Sequence, residues 1–391
     1  MTTGFDAAVV GLGAMGSATV YQLAKRGKRV LGIDQFAPPH AFGSSHGATR
    51  ITRQAIGEGE QFVPLVLRSY EIWPEIEAAA GKQLLSITGG LIMASERSDE
   101  SPGASKFLDQ TIKSAVKFGI AHSVLDTDQI RSRFPQFNLV GDERGYYEPT
   151  MGFLRPELCI ETQLAMAETL GAEIHPHEKL LEFATTANGI RVRTSADQYN
   201  VDHLVLSVGP WAASVLPEFA SLFKVYRQVL FWFDLDSPLE AYLPGKFPVF
   251  IWAFGRHRDN FVYGFPAIDG LGGGIKIASE QRSVESDPSH IDREVKPEEV
   301  DEIYQTYVQK RLPGVSNRCL KAVTCLYTCL PDSGFVVDFH PKHPNIVIVS
   351  PCSGHGFKHS AAIGEAVAEL VVDGQSAMDL SAFRMARFIA A

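Results

Sequence analysis

The chain has 391 residues, 45% of them apolar and 21% charged, the composition of an ordinary globular protein long enough for two domains and a sizeable core. Its net charge of -9 argues against nucleic acid or an anionic membrane as the main partner. Runs of about eighteen apolar residues are absent, which excludes a membrane-spanning helix, and Met1 to Asp6 lacks the basic region of a signal peptide, so a cytoplasmic location is expected. Asp6 to Val10 (DAAVV) reads as a short buried strand. Gly11 to Gly16 (GLGAMG) follows, then a predicted helix over Ser17 to Arg26, closed by Gly27. Arg29 to Ile33 reads as a second strand with Asp34 at its end. This is a βαβ unit with G-x-G-x-x-G in the turn between strand and helix, the arrangement that binds a dinucleotide. Gly11 permits the turn, Gly13 lets backbone approach a pyrophosphate, and Gly16 lets helix and strand pack closely. The helix N-terminus offers N–H groups and partial positive charge to phosphates, and Asp34 can accept ribose hydroxyls. The unit leaves NAD and FAD both open, and the bland reading is a turn without ligand.

Gly43 to Arg53 (GSSHGATRITR) is a polar loop whose Arg50 and Arg53 can hold phosphates or a carboxylate. Helices are predicted over Phe62 to Ala79, Ser105 to Phe118, Asp128 to Phe134 and Glu157 to Leu170, and a strand over Gly89 to Met93. Gly152 to Pro156 reads as a turn. Short strands are predicted at Ala172 to Ile174, Leu180 to Ala184, Ile190 to Thr194, Gln198 to Val201 and His203 to Ser207, the last followed by Gly209-Pro210-Trp211. Alternating segments at Tyr226 to Phe233, Val249 to Trp252, Asn260 to Phe265 and Gly274 to Ala278 predict an antiparallel sheet. Glu298 to Leu312 reads as a helix, Asn345 to Val349 as a buried strand, Ser353 to Lys358 as a glycine loop and His359 to Val372 as a helix. The recurring strand–glycine–helix pattern points to a dinucleotide domain assembled from separate segments. The five cysteines are odd in number, which argues against a disulfide framework. Cys325 and Cys329 have no accompanying pair at metal-ligand spacing, so no metal is expected.

These motifs together resemble the family of monomeric sarcosine oxidase and N-methyltryptophan oxidase, a branch of the D-amino-acid-oxidase-like flavoproteins. The resemblance runs nearly end to end. It rests on GLGAMG with Asp34, GSSHGATRITR, MGFLRPEL, Gly209 to Trp211, YGFP followed by GIK, TCLYT and SGHGFK, and the tail DLSAFRMARF leans towards the N-methyltryptophan branch. It implies a fold of α/β and α+β parts: a Rossmann-like FAD-binding domain of discontinuous segments plus a catalytic domain with a large antiparallel sheet. The expected division is 1–85, 146–215 and 319–391 for FAD, and 86–145 and 216–318 for substrate. It implies oxidation of a secondary amine to an imine, with oxygen reduced to hydrogen peroxide, by a monomer. A flavoenzyme acting on a cyclic or other secondary amino acid is the alternative, and an NAD-dependent dehydrogenase or a flavoprotein without oxidase activity are the rivals.

By the same resemblance, Cys325 carries the flavin through an 8α-S-cysteinyl link, Lys276 activates oxygen, and Arg50 and His46 lie beside the ring. The other implied FAD contacts are Gly11, Gly13, Gly16, Asp34, Ser45, Thr49, Gly354, Gly356 and Lys358. Arg53 and Lys358 would hold the substrate carboxylate, and Tyr263, Tyr327 and His355 would line the pocket. One departure stands out: sarcosine oxidases carry a histidine four residues after the oxygen-activating lysine, and here that residue is Glu280. An anion there predicts a preferred amine other than sarcosine, with a larger or basic side chain.

Overall fold

A computed structural model of the chain describes residues 4–95, 102–254 and 261–389. The strand Phe5–Val10 lies between two parallel neighbours, Val30–Ile33 and Gln198–Leu206, with Ala8 opposite both Leu31 and Leu204. Ala7, Ala8 and Val9 are fully buried because helices cover one face and further chain covers the other. The helix Ala14–Lys25 packs on this sheet and against the helix Ser360–Asp373. The two helices lie so close that a Cβ on Gly364 would sit 2.5 Å from that of Ala18. Among the described residues this sheet has eight strands. His343–Ser350 runs parallel beside Gln198–Leu206, and Glu173–His175 parallel beside Val30–Ile33.

A second eight-stranded sheet, again among the described residues, runs in the order Val315–Cys329, Lys224–Leu235, Ile275–Ser279, Phe261–Gly264, Val249–Ala253, Gly90–Ser95, Glu143–Glu148 and Ser123–Leu125. It is antiparallel as expected, except where Val249–Ala253 runs parallel to Gly90–Ser95. That pair joins segments distant in sequence, so no local pattern could announce it. The expected strand start at Asn260 lies outside the described residues.

Other differences have local causes. The two strands expected at Gln198 to Val201 and His203 to Ser207 are one strand, Gln198–Leu206. Its first half pairs antiparallel with Gly189–Thr194 and is partly exposed, whereas its second half is sandwiched between parallel strands. The apolar pattern therefore changes from alternating to continuous within one element. The expected turn at Gly152 is a strand, Gly152–Leu154, that holds Arg50–Thr52 on one side and Leu85–Ile87 on the other. The helix expected over Glu298 to Leu312 is α-helical only over Pro297–Ile303 and continues as a π-turn over Tyr304–Val308. No helix among the described residues is long and apolar enough to cross a membrane.

Candidate active site

A cavity of about 1040 Å³ opens between the carboxyl ends of the parallel strands and the face of the second sheet. Open α/β sheets bind ligands at this edge. Val10, Gly11 and Ser207 line one end, and Ile251, Tyr263, Lys276 and Tyr327 line the other.

The glycine loop forms the first end. Gly11 has φ +88°, and a Cβ on it would lie 2.5 Å from Ser207 O. A Cβ on Gly16 would lie 1.8 Å from Gly11 O, whereas one on Gly13 would meet nothing closer than Ser45 Oγ at 3.5 Å. Gly11 and Gly16 are thus required by the protein's own packing, while Gly13 leaves open backbone facing the cavity. Asp34 is buried, and its carboxylate accepts from Leu12 N at 2.7 Å and Phe36 N at 2.8 Å. It therefore braces the glycine loop, and with His40 Nε2 3.5 Å from Oδ1, Oδ2 is the oxygen with a lone pair left for a ligand hydroxyl. Ser45 Oγ accepts from Ala14 N at 3.3 Å, tying the second loop to the helix N-terminus. Gly16→Ala is expected to cost roughly 1–3 kcal/mol, the usual penalty of overpacking, seen as a lowered Tm.

Ser44, Ser45 and Thr49 line the cavity, and the loop Ser44 to Thr49 gathers the neighbouring Arg50 and three distant groups, Glu157, Lys276 and Cys325. Arg50 donates through Nη1 to Thr49 O at 2.9 Å, and through Nη2 to Ser44 O at 2.9 Å and to Cys325 Sγ at 3.3 Å. Lys276 Nζ donates to Gly47 O and Thr49 O, both at 2.7 Å, and to Thr49 Oγ1 at 3.1 Å. It also lies 4.5 Å from the centre of the Phe265 ring. Glu157, from MGFLRPEL, accepts from Gly47 N at 2.6 Å and Ala48 N at 3.1 Å and so holds the loop in shape. Cys325 is 1% exposed and meets the cavity through Arg50 and Ser44. Burial pushes its thiol pKa up, and the Arg50 guanidinium opposes that rise. Burial, with Arg50 beside it, pushes the Lys276 ammonium well below its ordinary value. His46 is buried next to this cluster; burial and Arg50 push its pKa down to about 3, so it is neutral. Its Nε2 and Ser44 Oγ are buried without a hydrogen-bond partner among the described residues.

The third end holds the expected carboxylate ligands. Arg53 is 2% exposed and its Nη2 donates to both oxygens of Glu58, at 2.6 and 2.7 Å. Its Nη1 donates to Ala55 O at 2.6 Å, and its guanidinium lies 5.4 Å from the Phe107 ring centre. The fork expected to face a ligand is therefore filled by an internal acid. Glu58 was not singled out from the sequence; the signal was an acid five residues after the arginine in GEGE. Burial alone would raise the Glu58 carboxyl, but Arg53, then His355 and Lys358, hold it well below the usual carboxylate range. Lys358 donates to His355 O, and burial pushes its pKa down to about 7 against the pull of Glu58. His355 Nε2 lies 3.1 Å from Ser333 O, and burial takes its pKa down to about 4. Tyr263 and Tyr327 face each other with hydroxyls 3.4 Å apart. Burial raises both phenols, that of Tyr263 to about 12. Gly354 and Gly356 shape the loop before Lys358: a Cβ on Gly356 would lie 1.6 Å from Pro351 O, and one on Gly354 2.9 Å from the Tyr327 ring.

A glycine loop shaped for a dinucleotide and a wall carrying Arg50, Arg53, Lys276 and Lys358 share one cavity, the arrangement of a dinucleotide-dependent enzyme. A family model described as FAD dependent oxidoreductase matches residues 6–370, and the chain belongs to that family. It is 37% identical over 393 residues to monomeric sarcosine oxidase of Streptomyces avermitilis, with all of both chains covered. It is 32% identical over 387 residues to N-methyl-L-tryptophan oxidase of Yersinia pestis, covering 98% of this chain and 99% of that one. NikD, described as an unusual amino acid oxidase essential for nikkomycin biosynthesis, has the same fold: TM-score 0.83 at 22% identity over 98% of each chain. The cofactor left open by the glycine loop is therefore FAD, and the chain is an FAD-dependent oxidoreductase. The residues fit that group. The cradle at Gly13 is open, and Ser44, whose Oγ is buried without a partner among the described residues, lines the same cavity.

Proposed function

We propose that this chain oxidises a secondary-amine amino acid, of the N-methylglycine or N-methyltryptophan kind, to an imine, with oxygen reduced to hydrogen peroxide, using FAD tethered to Cys325. The observation that carries this reading is the meeting of Arg50, Lys276 and Cys325 on the single loop Ser44 to Thr49. Bound FAD would take the hydrogen and two electrons of the amine's C–H bond and pass them to oxygen, and water would cleave the imine.

The protein supplies position and charge. Lys358 meets the substrate carboxylate, while Arg53 can join it only by exchanging Glu58, since Ala55 O holds its other arm. Tyr263, Tyr327 and His355 close the pocket around the amine. Gly13, Ser45 and the helix N-terminus hold phosphates, Asp34 a ribose, and His46, Thr49, Arg50, Gly354 and Gly356 the ring. Lys276 is set among three oxygen acceptors that suit an ammonium, yet burial and Arg50 oppose its charge. Such a group is most strongly cationic when negative charge develops beside it, as on reducing oxygen to superoxide. The reading is tested by incubating the flavin-loaded protein with sarcosine and bulkier N-methyl amino acids in air. Formaldehyde and hydrogen peroxide in equal amounts are expected; peroxide without substrate turnover, or neither product, would refute it.

The Lys358 value gives a pH dependence with a definite sign. Its pKa lies below that of a free lysine, so its charge is present below about pH 7 and lost as pH rises through that value. A carboxylate lacking an amine, such as a thioether acetate, should bind tightly at pH 6 and lose about tenfold in affinity per pH unit above 7, until the pKa of the complex is reached. Titration by flavin absorbance checks this, and a flat profile from pH 6 to about 9 would remove Lys358 from the carboxylate site.

A further inference from the structure

Lys276 is 3% exposed and stands among like charges. Arg50 and Lys321 both oppose its ammonium, and Lys321 shares the Trp232 ring with it, the Lys321 and Lys276 nitrogens lying 4.9 and 5.6 Å from the ring centre. His46 beside it is neutral. Cys325 and Glu157 are the groups whose negative charge would favour the ammonium, but burial keeps the Cys325 thiol protonated, and a thioether there would carry no charge. That leaves Glu157.

Glu157 stands in the first turn of the helix Pro156–Thr169, where the helix N-terminus favours an anion. Its Oε1 accepts from Gly47 N at 2.6 Å and Ala48 N at 3.1 Å. The turn it holds is a strained one. Gly47 has φ +98° and Ala48, which has a Cβ, has φ +66°, and Thr49 N donates to Gly47 O at 2.8 Å to close a γ-turn. Two successive N–H groups converging on one oxygen make an anion nest, filled here by the chain's own carboxylate. The carbonyl of the Gly47–Ala48 peptide accepts from Lys276 Nζ at 2.7 Å, and the N–H of that same peptide donates to Glu157. One peptide unit therefore stands between acid and ammonium, and the two bonds polarise each other.

We propose that Glu157 is a positioning residue for oxygen reduction: through the Gly47–Ala48 peptide it seats Lys276 and supplies its counter-charge. The inference rests on the oxygen role given to Lys276 above and deepens it. E157Q keeps an oxygen for the two N–H groups and removes the charge, which separates counter-charge from loop shape. In the flavin-loaded protein, reoxidation by oxygen should slow as pH rises and Lys276 loses its proton. Without the acid the proton leaves more easily, so in E157Q that fall should come about one pH unit lower, a roughly tenfold slower rate where the wild-type lysine is still charged. The Lys276 signal of protein labelled with carbon-13 lysine, assigned by its absence from K276M, should titrate with the same displacement. In the K276M background, E157Q should slow reoxidation no further. A Lys276 titration or a reoxidation profile that E157Q leaves in place, with K276M slow, overturns this proposal alone. Equal slowing by E157Q in both backgrounds also overturns it and leaves Glu157 as a prop for the loop. K276M protein that reoxidises at the wild-type rate removes the oxygen role of Lys276 and the proposal with it.

Discussion

Replacing Lys276 with methionine is expected to slow reoxidation of the reduced flavin by oxygen by about 10²–10³-fold, the range seen when one preorganised charge-stabilising group is removed. The side chain is nearly volume-matched, so the buried seat between Trp232 and Phe265 stays filled. The ammonium that bonds Gly47 O and Thr49 O is lost, and with it the positive charge that the proposed function assigns to oxygen reduction. Reduction of the flavin by amine in the absence of oxygen should change only a few-fold, because Arg53, Lys358 and the tyrosines are untouched. Stopped-flow measurement of the two half-reactions separates them. Equal slowing of both would assign Lys276 to holding the Ser44 to Thr49 loop instead of serving oxygen.

Cys325→Ser should turn a flavin that stays with acid-precipitated protein into one that leaves with the supernatant. The cysteine lies on the strand Val315–Cys329, whose partner Lys224–Leu235 fixes its register by pairing Gln228 with Cys325. That pairing puts the sulfur on the face of the sheet that meets Arg50 and Ser44, in a buried cluster with Leu230, Trp232 and Ala278. Arg50 is the group that would favour a thiolate during attachment, since burial alone keeps the thiol protonated. Arg50→Met should therefore yield mostly extractable flavin as well, a result that a purely structural role for Arg50 would not give. Flavin that remained attached to Cys325→Ser protein would assign the tether to another cysteine.

Much of the first end of the cavity was legible, because its constraints are local. Gly11, Gly16 and Asp34 lie in one βαβ unit whose turn, packing and capping demands are written within about thirty residues. Lys276 and Cys325 were legible only through resemblance. Nothing local distinguishes a solvated lysine on a strand from one buried against Gly47 O and Thr49 O, more than two hundred residues earlier. The Arg53–Glu58 pair was missed for the opposite reason. The two groups are close in sequence, but an arginine fork facing an internal acid and one facing a ligand have the same spacing. The parallel pairing of Gly90–Ser95 with Val249–Ala253 was illegible because long-range register leaves no periodic trace in either segment. Glu280 was visible as a departure from the family, but its sharing of Arg282 with Ser353 and Ser333 needed coordinates.

The central claim is that the groups gathered on Ser44 to Thr49 serve one cycle of amine oxidation and oxygen reduction. Its most direct test is to mix the purified yellow protein with an N-methyl amino acid under anaerobic conditions, follow the flavin absorbance, and then admit oxygen. The yellow band should bleach completely on mixing and return on aeration with one hydrogen peroxide per flavin. A band that persists with every N-methyl amino acid, or that bleaches and does not return with oxygen, would contradict it.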